Sequence, residues 1–268
     1  MLGSVFIFSS ISDSVFSLAE FSSPELAYIG ICSTLLTVII FSVVTWALGM
    51  PSSESHAMMS SLVGSCLFLG DGAYKGGLFK VLLFAIISCA LSFLISVLLG
   101  LALKLSRLNC RASLLTASVL SSLMHGAQDG QKFIGILLFL SPISNTSRGF
   151  FGILSLSLLV SLFMSLGTLC GGGRIIRSLG EKTVKLNERS CLASDISFII
   201  STVIFSVMGA PISTGLVKST AIMGGGLSFG EKINKKTATE LFLTSVATFP
   251  VCILLSGLIS LGMKLLFV

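Results

Sequence analysis

The sequence predicts an all-α membrane protein that crosses the bilayer several times, and three observations support this fold class. Of its 268 residues, 53% are apolar and only 10% are charged, whereas about a quarter of residues are charged in soluble domains. The mean hydropathy is +1.03. The apolar residues form runs of about 20, the length of helix that crosses about 30 Å of hydrocarbon. We therefore expect a multi-pass protein of the cell (inner or plasma) membrane.

The charges and cysteines argue against several other classes of protein. The net charge is +6, but the cations lie in short clusters between apolar runs, as in loops that orient membrane spans. We therefore expect the lipid bilayer, and no nucleic acid, as the surroundings of this chain. The seven cysteines are scattered singly, without a CxxC pair, so the sequence predicts no disulfide framework, no metal centre and no cofactor.

The apolar runs divide the chain into elements. Complete spans are predicted at about 27–49, 79–103, 149–170, 193–209 and 238–262. Residues 112–142 predict a broken helix, because the polar stretch HGAQDGQK, with Gly126 and Gly130, divides two apolar runs. The basic stretch 171–190 predicts a loop. Residues 50–70 and 210–227 are too short or too polar for a simple crossing and predict two re-entrant segments.

An internal repeat links the two re-entrant segments. GMPSSESHAMMSSLVGSCL at 49–67 aligns with GAPISTGLVKSTAIMGGGL at 209–227, and each copy passes from Gly-x-Pro through Ser or Thr to an apolar run. Interrupted segments at corresponding places in two halves are a sequence pointer to the binding site of a secondary transporter. The positive ends of half-helices, with Ser and Thr hydroxyl donors, suit a small anion. Kinked structural helices are the alternative.

Ionisable residues at two places indicate functional chemistry. Glu54 and Asp129 are the acids expected within the bilayer, and His56 and His125 lie beside them; buried charges there are costly. Asp129 either pairs with His125 or holds a coupling ion, Na⁺ or a proton. Lys132 either neutralises an oxyanion or extends to the interface. An enzyme is not expected: HGAQD lacks the second His of HExxH, and Ser213 lies in no nucleophile elbow.

Lys218 requires its own explanation. It lies within the second re-entrant copy, and its neighbours in the sequence are mostly apolar. A lysine in such surroundings needs a carboxylate, a water-filled cavity or an anion.

Four ordered motifs resemble those of the inorganic phosphate transporter family. MHGAQDGQKFIGI at 124–136 is similar to its second signature, and 49–64 and 209–224 resemble its two Gly-Leu-Pro-x-Ser-Thr-Thr-His repeats. GTLCGGGRIIRSLGEKTVKL at 167–186 resembles the loop after the next span. The resemblance covers about residues 27–262 in the right order.

The resemblance implies a fold, a function and a set of site residues. It implies one transmembrane transporter domain over 1–268, with inverted repeat-like halves at about 27–103 and 193–262. The implied function is carriage of inorganic phosphate coupled to Na⁺ or H⁺, usually by a homodimer. The implied substrate-binding residues are Ser53, Ser55, Ser213, Thr214, Gln128 and Lys132. Asp129, His125, Glu54 and His56 are the implied coupling-ion residues, with Na⁺ possible at Asp129.

The chain also departs from the family pattern. Gln128 replaces an Asn, Glu54 replaces a Thr, and Gly215 and Leu216 replace Thr and His. The first Gly-Ala-Asn-Asp signature of the family is not found in residues 1–48. The alternatives are therefore a permease for another oxyanion such as sulfate, or a non-transporting subunit. For the missing signature itself, either a separate partner chain supplies it, or two copies build the site together, or the chain is degenerate and does not transport.

Overall fold

The computed structural model describes residues 11, 14, 15, 18–50, 52–70, 72–74, 77–106, 110–137 and 150–267. Within these ranges, the side chains of 72–74, 110, 150, 151, 153 and 174–182 are not described. The elements, in chain order, are β1 (Ala19–Phe21), α1 (Pro24–Ala47), α2 (Glu54–Leu69), β2 (Gly72–Tyr74), α3 (Leu78–Leu105), α4 (Cys110–Leu137), α5 (Phe150–Thr183), α6 (Glu188–Val207), α7 (Thr214–Ser228) and α8 (Lys235–Phe267).

The described part of the chain is almost entirely helical, so the predicted all-α membrane class is confirmed. Five helical segments are long and apolar enough to span a membrane: Pro24–Ala47, Leu78–Leu105, Leu154–Gly173, Glu188–Val207 and Lys235–Phe267. Large apolar side chains remain exposed along them, for example Phe79 at 73% and Leu258 at 62%. Apolar surface of this extent suits contact with lipid rather than with water.

Two helical hairpins occupy the positions of the predicted re-entrant segments. In the first, α1 turns into the short helix α2; in the second, α6 turns into α7. Gly49 and Gly209 have φ values of 67° and 64°, so both turns use a left-handed conformation that favours glycine. Helices α2 and α7 have 16 and 15 residues, and at 1.5 Å per residue each is about 23 Å long, shorter than the hydrocarbon core.

Each hairpin packs against the long helix that follows the other hairpin in sequence. Helix α2 packs mainly on α8, and α7 packs mainly on α3. Both contacts are close because a glycine faces the partner backbone: Gly64 lies against the carbonyl of Ile253, and Gly224 lies against that of Phe93. The two halves therefore interlock, and both contribute to the centre of the molecule.

Small residues at four-residue spacing line the contacts of α7 with α3 and of α2 with α8. On α3 they are Ser88, Ser92, Ser96 and Gly100, and on α8 they are Thr248, Cys252, Ser256 and Ser260. Ser92 donates a hydrogen bond to the carbonyl of Val217 at 3.1 Å, and Ser96 donates one to that of Ala221 at 2.6 Å. Small side chains permit this close helix contact in membranes.

Two of the sequence predictions are wrong in detail. Helix α4 is continuous from Cys110 to Leu137, so HGAQDGQK does not break it; residues 138–142 of the predicted unit lie outside the described residues. Side-chain pairs at three- and four-residue spacing within this stretch support the helix. Helix α5 continues to Thr183, so only residues 184–187 of the predicted loop 171–190 are non-helical.

A short antiparallel pairing was not predicted. Strand β1 pairs with β2, with Ala19 opposite Tyr74 and Phe21 opposite Gly72. It joins the segment before α1 to the segment after α2. The pairing therefore links the two ends of the first hairpin that lie away from its turn.

Candidate functional site

The tips of the two hairpins meet at the centre of the interlocked halves. Ser53 and Ser213 are the N-caps of α2 and α7, and each side-chain oxygen accepts a hydrogen bond from a backbone N–H of its own helix. The Ser53 hydroxyl also donates to the Ser213 oxygen at 2.8 Å. Both side chains are buried. Two helix N-termini, each equivalent to about half a positive charge, therefore converge on one point.

Lys132 joins the two tips through α4. Its Nζ donates to Ser55 Oγ at 2.7 Å and to the carbonyl oxygen of Ile212 at 2.6 Å. It also pairs with Asp129 Oδ1 at 2.7 Å. Lys132 is only 1% exposed, so of the two alternatives for this side chain, extension to the interface does not hold.

Asp129 lies between Lys132 and the second hairpin. The Thr214 hydroxyl donates to Asp129 Oδ2 at 2.9 Å, and His125 Nε2 lies 3.0 Å from the same oxygen. The Asp129 side chain is 15% exposed and that of His125 is 47% exposed. The histidine is therefore the exposed member of this pair, and the carboxylate is the more deeply placed one. We call Ser53, Ser55, Asp129, Lys132, Ser213 and Thr214 together the tip site.

Gln128 points away from the tip site towards α6. Its Nε2 donates to Ser206 Oγ at 2.8 Å and lies 3.4 Å from the Thr202 carbonyl oxygen. The Gln128 carbonyl oxygen is buried without a hydrogen-bond partner among the described residues. Of the predicted substrate-binding residues, Gln128 is the one that the structure separates from the others.

His56 and Glu54 are only two positions apart in the sequence, but His56 is buried and Glu54 is accessible to solvent. His56 is 2% exposed; its ring lies 4.7 Å from that of Phe249, and neither ring nitrogen has a hydrogen-bond partner among the described residues. Glu54 is accessible to solvent, yet it lies close enough to Asp129, His125 and Lys132 for their charges to act on it; no described side chain forms an ion pair with it.

Sequence reasoning missed a third acid, Asp195 on α6. It is 8% exposed and forms an ion pair with Lys218 on α7. Ser118 Oγ donates to Asp195 Oδ2 at 2.6 Å, and Lys218 Nζ donates to Ser121 Oγ at 3.0 Å. The isolated position of Lys218 among apolar neighbours was the available signal, because a buried lysine requires a counter-charge.

The tip site favours a small anion. Two helix N-termini and one buried ammonium group supply positive charge beside the carboxylates of Asp129 and of Glu54 in the first turn of α2, and the Ser53, Ser213 and Ser55 hydroxyls are donors that reorient easily. A carboxylate with an adjacent hydroxyl also suits a small cation beside the anion. The arrangement therefore combines an anion position and a cation position.

Comparison with known proteins identifies the family. The sequence pattern of the phosphate transporter family matches residues 1–117 and 107–256 of this chain. The chain belongs to the phosphate transporter family. This agrees with the resemblance of its four motifs, and its relatives are transporters rather than enzymes.

Several curated members of the family are similar to the chain. A probable low-affinity inorganic phosphate transporter of Bacillus subtilis (strain 168) is 29% identical over 252 residues, which cover 88% of this chain and 75% of the relative. A probable low-affinity inorganic phosphate transporter of Mycobacterium bovis is 28% identical over 260 residues, covering 90% of this chain and 60% of the relative. The chain thus spans 60% to 75% of the length of these family members.

A solved structure of a sodium-dependent phosphate transporter has the same fold. It superposes with a TM-score of 0.81 at 17% identity and covers 98% of this chain and 87% of its own. At this identity the likeness concerns the fold alone.

Proposed function

We propose that this chain carries inorganic phosphate across the membrane, with the anion bound at the tip site. The observation that carries the proposal is the junction of two helix N-termini at Ser53 and Ser213, 2.8 Å apart, beside the buried ammonium group of Lys132. Phosphate is an oxyanion that accepts several hydrogen bonds, and these groups are its donors. Curated relatives in the same family are named inorganic phosphate transporters.

Asp129 is the proposed position of the coupling ion, Na⁺ or H⁺. Its carboxylate contacts Lys132 and Thr214, and its other neighbour is the half-exposed ring of His125. When a phosphate binds to Lys132, Asp129 loses part of its counter-charge. A cation or a proton at the carboxylate then restores the balance, and this links binding of the anion to binding of the coupling ion.

A second copy or a partner chain is proposed at the first hairpin. In the second half, Thr214 contacts a carboxylate on α4. Its counterpart in the internal repeat, Glu54, is exposed and forms no ion pair with a described side chain. A cationic or hydroxyl group from another chain would complete this contact. Chemical cross-linking of the purified protein in detergent, followed by mass measurement, tests this proposal.

The transport proposal is tested by uptake of labelled phosphate into proteoliposomes that contain only this chain. We expect saturable uptake that depends on a Na⁺ or proton gradient and that falls at least about a hundredfold in Asp129→Asn. Unlabelled sulfate is the competitor, and Glu240→Gln, an exposed acid on α8, is the charge control. Absence of uptake by a correctly folded chain would contradict a self-sufficient carrier. Stronger competition by sulfate than by phosphate would instead indicate a sulfate permease.

A further inference from the structure

The ion pair of Asp195 and Lys218 lies outside the tip site, between α4, α6 and α7. Lys218 on α7 contacts the Asp195 carboxylate on α6 and Ser121 on α4. Ser118, one turn earlier on α4, holds the other Asp195 oxygen at 2.6 Å. Four polar groups from three helices therefore form a second cluster.

The internal repeat shows that the fold does not require this pair. Equivalent residues of the two halves are 160 positions apart, as Ser53 and Ser213 are. By this spacing Leu35 corresponds to Asp195, and Met58 corresponds to Lys218. Both are apolar; Met58 belongs to the main core cluster, and Leu35 packs against that cluster. A buried ion pair is often no more stabilising than apolar residues of similar volume. The charges therefore need a reason other than helix packing.

A polar face of α4 leads from this pair to the tip site. Ser118, Ser121, His125, Asp129 and Lys132 are spaced three or four residues apart and therefore lie along one side of the helix. The backbone distance along the axis from Ser121 to Asp129 is about 12 Å. His125 lies midway, and the ring of Phe198 lies 6.0 Å from the His125 ring and 5.0 Å from Lys218 Nζ.

The side chains along this face of α4 and beside it differ in their exposed fractions. The Lys218 side chain is 24% exposed, compared with 2% for Lys132, and His125 between them is 47% exposed. Of the two lysines, Lys218 is therefore the more accessible to an anion from outside, and Lys132 is the buried one.

We propose that Lys218 and Ser121 form an outer binding station for the transported oxyanion, from which it passes along the polar face of α4 to the tip site. This inference rests on the proposed function. At the station the anion takes the place of Asp195 beside Lys218, while Ser118 keeps its hydrogen bond to the carboxylate. Ser121 turns its hydroxyl proton towards the anion. Asp195 returns to Lys218 when the anion leaves, so the ammonium group never stays unpaired.

The experiment compares Lys218→Met, Asp195→Leu and the double variant, which reproduces the apolar pair of the first half. The concentration dependence of labelled phosphate uptake into proteoliposomes is measured, together with thermal unfolding in detergent. We expect Lys218→Met and the double variant to raise the KM for phosphate at least about tenfold, since the local attraction of the anion is lost. The maximal rate should change little, because the tip site is intact. Lys236→Met, an exposed lysine on α8, is the control for net charge.

The double variant decides between a station and a structural pair. Either single variant leaves one charge unpaired and could unfold for that reason. The double variant is expected to fold, because the apolar pair Leu35 and Met58 packs at the corresponding positions in the first half. A double variant with the wild-type KM would overturn the proposal and leave the pair a purely structural contact. A wild-type chain without saturable phosphate uptake would overturn the proposed function itself, and the station with it.

Discussion

At the scale of single residues, the chemistry of the tip site depends on charges that are buried only because they are paired. Lys132 is 1% exposed and has three oxygen partners. Asp129 is held by Lys132 and Thr214. Each charge would be unfavourable in the membrane interior without the other.

Replacement of Lys132 by Met tests this dependence. We expect the Lys132→Met variant to lose about 3 kcal/mol of the free energy of unfolding, because Asp129 would stay buried without its cation. The double variant Asp129→Asn/Lys132→Met removes both charges and should recover most of that loss. Thermal unfolding in detergent measures both. A double variant no more stable than the single one would contradict the pairing.

His56 gives a second prediction at this scale. Its buried ring nitrogens have no partners among the described residues, which is unfavourable by about 1–3 kcal/mol for each unsatisfied group. The counterpart of His56 in the repeat is Leu216. We expect His56→Leu to increase the midpoint of thermal unfolding and to decrease phosphate uptake, since His56 is a predicted coupling-ion residue. Unchanged uptake by the stabilised variant would mean that His56 has no part in transport.

At the scale of elements, the close contact of each short helix with its long partner fixes the tip positions. A Cβ at Gly64 would overlap the backbone of Ile253, and one at Gly224 would overlap the backbone of Phe93. Backbone atoms cannot rotate away, so the helices would have to separate. The tips, and the hydroxyl groups on them, would move with the helices.

Alanine at these glycines therefore has a specific expected effect. Gly64→Ala and Gly224→Ala should each destabilise the protein by about 1–3 kcal/mol through overpacking and should reduce uptake. Gly167→Ala on α5 is the matched control, because nothing lies within 4 Å of the added Cβ, and alanine is the better helix former by about 1 kcal/mol. Equal stability of all three variants in thermal unfolding would contradict the packing.

At the scale of the whole molecule, the sequence predicts the fold class and both hairpins, because apolar run length and repeated Gly-x-Pro turns are local signals. It does not predict that α7 packs on α3 and α2 on α8, since this exchange joins residues more than 100 positions apart, as in Ser92 and Val217. Asp195 was missed for a similar reason: it lies in an apolar run, and its partner Lys218 is 23 positions away on another helix.

The predicted break in α4 is wrong, because side-chain contacts within the helix offset the low helix propensity of its glycines. Gly126 and Gly130 lower helix propensity, but the contacts of Asp129 with His125 and Lys132 lie within the helix at four- and three-residue spacing. The residues of the tip site were identified from the sequence, whereas the roles assigned to them stay predictions. The structure adds their distances, which motif matching does not give.

A disulfide between the two hairpin tips would show whether phosphate passes between them. Ser53→Cys and Ser213→Cys are combined in a chain whose seven native cysteines are replaced by alanine. The side-chain oxygens of these serines are 2.8 Å apart, which suits disulfide formation with little movement. We predict that oxidation abolishes phosphate uptake into proteoliposomes and that a reducing agent restores it. Undiminished uptake with the two tips fully cross-linked would mean that phosphate does not pass between them.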